Sequence, residues 1–144
     1  TNLGLQYQLL QKQIISKFDE ISKRGEYILG PELEKFEKEF AYYCGTKYAV
    51  GVGCGSDALS FSMIALNIGK GDEIITPAVT WPTTVYPIVD VGAIPHFVDV
   101  KLDDFNIDPK KIEEAITKKT KAVIIVHMLG VPCEIDRIKL NCKI

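Results

Sequence analysis

Four apolar segments, at 48–53, 73–76, 94–100 and 121–128, are separated by stretches with helical signals, and this alternation predicts an α/β fold with a mainly parallel sheet. The strands are apolar on both faces, which is the pattern of a sheet covered by helices on both sides and joined by right-handed crossovers. Two helices precede the alternation. The predicted organisation is an N-terminal helical segment over 1–46 followed, over 47–144, by part of an alternating strand and helix domain.

The first helix is read over 5–23, where Leu10, Ile14, Phe18 and Ile21 recur at helical spacing before the breaker Arg24-Gly25. The second begins at Gly30-Pro31, because proline at the first helical position loses an N–H that would have no intrahelical partner. Leu33, Phe36, Phe40 and Tyr43 form its stripe and Gly45 its stop. Residues 48–53 then read as a buried strand, 56–67 as a helix, 73–76 as a strand and 82–91 as a short helix. The next strand is 94–100 and the next helix 109–117, with Asp108-Pro109 as N-cap and first position and Ile112, Ala115 and Ile116 on one face. A strand at 121–128 follows. No internal repeat, low-complexity segment or linker interrupts the order.

Composition narrows the function classes. The 144 residues carry 17 Lys and Arg against 19 Asp and Glu, a net charge of −2, so nothing resembles the basic footprint of a nucleic-acid binder. The densest basic run, Lys118-Lys119-Thr120-Lys121, reads as a solvated helix end. No apolar run approaches the roughly 20 residues of a membrane span, and the N-terminus lacks a basic-then-apolar signal pattern. These features predict a cytoplasmic protein with no membrane partner. Cys44, Cys54, Cys133 and Cys142 lack both Cys-x-x-Cys pairing and the spacing of a disulfide framework, which predicts reduced thiols.

Chemistry concentrates at the junction Gly53-Cys54-Gly55-Ser56-Asp57-Ala58-Leu59. Gly53 and Gly55 would permit a tight turn, and Ser56 would add a hydroxyl to the free N–H groups of a helix start, where the dipole favours an anion of phosphate size. A simple helix cap explains the same residues equally well. A dinucleotide turn does not, because Ser56 occupies the third glycine's place and Asp72-Glu73 begin the next strand instead of ending it.

Thr80-Trp81-Pro82 follows the second strand, at the end of the sheet where open α/β folds bind ligands. Trp81 precedes a proline and is biased to extended backbone, so its ring can face a pocket; core packing is the alternative for the chain's single tryptophan. His127, ending the last strand, is either at a ligand or a satisfied strand-end histidine. Cys54 has no His or Lys partner fixed by spacing and is assigned no nucleophilic role.

Six ordered blocks add a resemblance. Gly25-Glu26-Tyr27-Ile28-Leu29-Gly30-Pro31-Glu32-Leu33, Phe36-Glu37-Lys38-Glu39-Phe40-Ala41, Gly55-Ser56-Asp57-Ala58-Leu59, Gly71-Asp72-Glu73-Ile74-Ile75-Thr76-Pro77, Pro95-His96-Phe97-Val98-Asp99-Val100 and Val126-His127-Met128-Leu129-Gly130-Val131-Pro132 resemble the N-terminal part of the DegT-type sugar aminotransferases. The match runs from about residue 20 to 136. The resemblance implies a fold-type-I, aspartate-aminotransferase-like large domain and a homodimer. It also implies pyridoxal 5′-phosphate, which takes the pyridoxamine 5′-phosphate form in turnover, and a keto-sugar substrate, usually nucleotide-linked, with glutamate as amino donor for polysaccharide or amino-sugar synthesis.

Carried over to matching positions, the resemblance places the cofactor phosphate on Gly55, Ser56 and Asp57 and the pyridine ring on Trp81. Tyr27, Gly30 and His127 would lie near the active site without an assigned role. The family's pyridine-binding Asp and Schiff-base Lys match nothing here; Lys139 and Lys143 lie in a tail without that context. The expectation is therefore a chain inactive by itself, whose first strand lacks its family neighbours and whose fold needs further sequence. Two alternatives accompany the transaminase: a pyridoxamine-phosphate sugar dehydratase, which Trp81-Pro82-Thr83-Thr84-Val85-Tyr86-Pro87-Ile88 resembles and which carries His where a transaminase has its Lys, and a non-catalytic product of a truncated gene.

Overall fold

The computed structural model describes residues 2–141; Cys142 and Lys143 lie outside the described residues. The chain divides into two compact units between Gly51 and Val52.

In the first unit, α1 spans Leu3–Arg24 and α2 spans Pro31–Cys44. The Asn2 side chain caps α1 by accepting the Leu5 N–H at 3.1 Å, and Gly25 and Gly45 end the two helices at φ 73° and 66°, in the left-handed region that glycine enters without a Cβ clash. The predicted apolar stripe of α1 is present but not covered: Leu10, Ile14 and Phe18 are exposed and no residue of the helix is fully buried. In α2 the rings of Phe36 and Phe40 stack at 5.5 Å, while Ala41 alone is buried.

Residues 48–53 do not form the strand that their β-branched composition predicts. A strand requires a ladder partner, and this segment finds side chains instead. The Thr46 hydroxyl donates to the Tyr48 carbonyl at 3.0 Å, and the Gly51 N–H donates to the Glu37 carboxylate at 2.7 Å. Gly51 lies close under Leu33, whose side chain would have to shift for a Cβ, since that atom would come 2.5 Å from Leu33 Cδ1. Tyr48 and Val50 remain exposed.

The second unit is built on three parallel strands, β1 (Glu73–Pro77), β2 (Ile94–Val98) and β3 (Thr120–Val123), in the order β2-β1-β3. β1 pairs Glu73 with Ile94 through Pro77 with Val98 on one edge, and with β3 on the other after a one-residue shift between Glu73 and Ile74. Because successive side chains of a strand face opposite ways, Ile74 and Ile75 feed two separate cores. Ile74 packs with Met63, Ile68, Ile88 and Ala93 on the face of α3 (Gly55–Ala65) and α4 (Tyr86–Asp90). Ile75 packs with Val98, Ile107, Ile112 and Ile138 on the face of α5 (Pro109–Ala115) and α6 (Ile135–Asn141). Sheet class and helix cover on both faces agree with the sequence reading.

Several element bounds are shorter than predicted. The last strand ends its ladder at Val123, although the Ile124 N–H still donates to the Ile75 carbonyl at 2.8 Å. The helix predicted over 82–91 is split into a 3₁₀ turn, Pro82–Thr84, and α4, with Val85 between them. Asp108 caps α5 as predicted, accepting the Lys110 N–H at 2.9 Å. Lys118 and Lys119 lie in the exposed turn before β3, not at a helix end.

Beyond β2, a salt-bridged corner ties the 99–108 loop to the residues before α6. Lys101 lies 2.9 Å from both Asp104 and Glu134, and this ammonium holds the two carboxyls below their usual range.

Truncating Ile75→Ala, at a side chain with 0% exposure, is expected to cost about 2–5 kcal/mol in a urea titration; a loss no larger than that of an exposed-site control would contradict the two-core packing. The lowered carboxyls set a sign for pH: their stabilisation is complete above the unfolded value of about 4 and is lost as pH falls through the folded values. Stability of the native chain should fall below about pH 4, with a smaller fall in Lys101→Met, measured as denaturation midpoints.

Candidate functional site

The C-terminal end of the sheet gathers most of the predicted site residues. α3 is joined by the 66–72 turn to the start of β1 and packs against both α4 and the Pro82–Thr84 turn. It therefore runs back along the sheet, with its N-terminus toward the end where β1 and β3 finish. The segments that follow those two strands carry Trp81 and His127.

At the α3 N-terminus, Cys54 is the N-cap with extended backbone (φ −161°, ψ 175°) and makes no side-chain cap hydrogen bond. The first N–H to close the helix ladder is that of Ala58, on the Cys54 carbonyl at 3.1 Å. The N–H groups of Gly55, Ser56 and Asp57 are thus the orphan donors of the first turn, where the helix dipole adds positive potential. The Ser56 side chain is half-buried beside them.

The glycines do not work as predicted. Neither Gly53 nor Gly55 is among the positive-φ residues, so no left-handed turn is needed at either. Gly53 serves a different purpose: a Cβ there would lie 2.7 Å from Asp57 Oδ2. Its bareness lets the Asp57 carboxylate fold back against the loop. A Cβ at Gly55 would meet nothing within 4 Å, leaving the approach to the first turn open.

Trp81 has the extended backbone expected before proline (φ −70°, ψ 138°), and its carbonyl accepts the Thr84 N–H at 2.9 Å. Trp81 is 74% exposed, which excludes the core alternative within this unit. Thr80 and Thr84 hydroxyls pair at 2.9 Å beside it. Tyr27 and Gly30 belong to the first unit. Tyr27 is exposed, and Gly30 is the N-cap of α2, in a loop held by Arg24 through Glu26 at 3.1 Å and Glu32 at 2.7 Å.

One cluster escaped the sequence reading. Asn106, 1% exposed, gathers the loop after β3: its Oδ1 accepts the Met128 N–H at 3.0 Å, and its Nδ2 donates to the carbonyls of Val131 at 3.2 Å and Pro132 at 3.4 Å. Cys133 donates its thiol to the Val126 carbonyl at 3.1 Å and its N–H to His127 Nδ1 at 3.0 Å. Burial, with Asp104 nearby, pushes the Cys133 thiol up. His127, which lies past the end of β3 and not within the predicted strand, is therefore held from one side by backbone and open on the other. An Asn and a Cys 27 positions apart carry no local spacing signal for this arrangement.

The residues present suit part of a phosphorylated ring cofactor: an uncapped first turn with orphan N–H donors, a hydroxyl beside it and an open aromatic face at the same end of the sheet. Among the described residues no group of three or more His, Cys, Asp or Glu is placed to hold a metal, and no helix is long and apolar enough to cross a membrane.

Known proteins resemble this chain in sequence and in fold. The chain is 44% identical over 133 residues, 92% of its length, to the dTDP-3-amino-3,6-dideoxy-alpha-D-galactopyranose transaminase of Aneurinibacillus thermoaerophilus, and spans 37% of that relative. It is similar to the crystal structure of S. venezuelae DesV in complex with a ketimine intermediate, with a TM-score of 0.94 and 38% identity, covering 97% of this chain and 38% of that one. It is also similar to a GDP-4-keto-6-deoxymannose-3-dehydratase with a trapped PLP-glutamate geminal diamine, with a TM-score of 0.75 and 40% identity over 79% of this chain and 31% of that one. The chain thus spans about a third of the length of these proteins. Residues 8–143 match the DegT/DnrJ/EryC1/StrS aminotransferase family, and with identities near 40% over most of its length this chain belongs to that family.

Proposed function

We propose that the chain supplies the phosphate seat and the ring-stacking face of a pyridoxal 5′-phosphate-dependent aminotransferase acting on a nucleotide-linked keto sugar. The observation that supports this reading is the uncapped first turn of α3, a helix packed against the Pro82–Thr84 turn that directly follows the open Trp81. The N–H groups of Gly55, Ser56 and Asp57 and the Ser56 hydroxyl bind the phosphate, and the helix dipole offsets its charge. Trp81 covers one face of the ring. When bound, the cofactor supplies an electron sink and carries the amino group between donor and sugar. Residues 47–144 form the cofactor-binding portion, with His127 at the margin of the site.

The wider reading includes glutamate as donor, a homodimer and a cytoplasmic setting, the last in keeping with nucleotide-linked substrates. The reactive lysine and the aspartate that would pair with the ring nitrogen have no counterpart in this chain's matched blocks, so by itself the chain binds the cofactor without turnover. A sugar dehydratase is the second reading, supported by 40% identity to such an enzyme. The aminotransferase is favoured by the higher structural likeness, 0.94 against 0.75, over more of the chain.

Trp81 is the single tryptophan, so its emission reports directly on stacking. Titration with pyridoxal 5′-phosphate should quench it in a saturable way, and excess inorganic phosphate should reverse the quenching; unchanged emission at saturating cofactor would remove the stacking assignment. Ser56→Ala should weaken cofactor binding by up to about tenfold, the worth of one hydrogen bond of 0.5–1.5 kcal/mol. Borohydride treatment should leave no site-specific pyridoxyl label on any single lysine of the chain; stoichiometric labelling of one lysine would sink the no-turnover reading.

A further inference from the structure

His127 can be assigned a protonation form from its surroundings. A backbone N–H is a donor and nothing else, so the Cys133 N–H at 3.0 Å requires a lone pair on His127 Nδ1. A neutral imidazole whose Nδ1 accepts carries its proton on Nε2. The histidine is exposed, and Nε2 makes no hydrogen bond among the described residues.

The arrangement is reinforced from behind. Cys133 can present its N–H only if the 128–133 loop folds back on the end of β3, and two buried groups enforce that path. Asn106 binds the loop at Met128, Val131 and Pro132, and the Cys133 thiol closes it on the Val126 carbonyl at 3.1 Å. Asn106 is itself oriented by Asp104, whose Oδ1 accepts the Asn106 N–H at 2.9 Å. Leu129, at φ 52°, takes a backbone conformation costly for a branched side chain, and the surrounding bonds hold it there.

We propose that Asn106 and Cys133 are positioning residues that fix His127 as a neutral hydrogen-bond donor, with Nε2–H offered to an oxygen acceptor of the ligand at the C-terminal end of the sheet. In this form both lone-pair sites of the ring are accounted for, one by the Cys133 N–H and one by its own proton. His127 cannot abstract a proton without first breaking the Cys133 bond. It is a polar anchor and not the base of the reaction. The identity of the ligand rests on the aminotransferase reading above, whereas the form of the ring does not.

Long-range nitrogen–proton NMR of the ¹⁵N-labelled 144-residue chain at about pH 8, without cofactor, tests the assignment. The chain has two histidines, so a His96→Gln variant identifies the His127 signals. The expected result is an unprotonated Nδ1, a protonated Nε2 and a through-hydrogen-bond coupling between Nδ1 and the Cys133 amide nitrogen. A proton on Nδ1, or an intact spectrum without that coupling, would overturn the proposal. Asn106→Ala should abolish the coupling and move the two ring nitrogens toward averaged values. Cys133→Ala, which keeps the backbone N–H and a well-packed side chain, should do so in part, with recovery in Cys133→Ser. Full coupling in both Asn106→Ala and Cys133→Ala would remove their positioning role. A chain that shows the coupling yet fails to bind pyridoxal 5′-phosphate would overturn the proposed function while leaving this inference standing.

Discussion

Parallel pairing of β1 on both edges is the constraint from which the second unit follows. A strand with a neighbour on each side and no exposed face is buried along its length, and Ile74, Ile75 and Thr76 are each 0% exposed. Parallel neighbours cannot be joined by tight hairpins, so each crossover must carry chain across a face of the sheet. The crossovers bring α4 and α5 to opposite faces, and the two cores then form around adjacent isoleucines. Because all three strands point the same way, the loops that leave them emerge together. Trp81 and His127 owe their common location to strand direction and not to any contact between them.

Where a residue's job is set by its neighbours in sequence, it was legible. Pro31, Asp108 and the glycines ending α1 and α2 act through local backbone geometry, and each performs the predicted task. The extended backbone at Trp81 follows from Pro82 in the same way. Residues 48–53 failed because composition reports willingness to form a strand but not the presence of a partner. Gly53 was read for conformational freedom and turned out to matter for space, a distinction decided by where the Asp57 carboxylate goes. Asn106 was illegible for a similar reason: a buried amide satisfied by carbonyls some 25 positions away leaves no trace in local pattern.

The site is therefore composed of two kinds of part. The α3 turn is built by helix geometry alone, with donors that any helix start would present, and its character comes from what is missing at Cys54 and Gly55. The His127 corner is built by tertiary contacts, with a buried amide and a buried thiol spent on orienting one exposed ring. The first kind tolerates change in the distant fold; the second depends on the packing that holds the β3 loop against the 99–108 segment.

A helix that lacks an internal cap has a stability that varies with what is dissolved around it. With no side chain of its own closing the first turn of α3, an anion bound at the proposed phosphate seat would take over the capping role. Binding of that kind enters the folding equilibrium as a linked ligand, raising stability logarithmically with free concentration, by about 2.7 kcal/mol at one hundred times the dissociation constant. Under the proposed phosphate seat, the ligand would then raise the unfolding midpoint of the chain, separately from any chemistry performed on it.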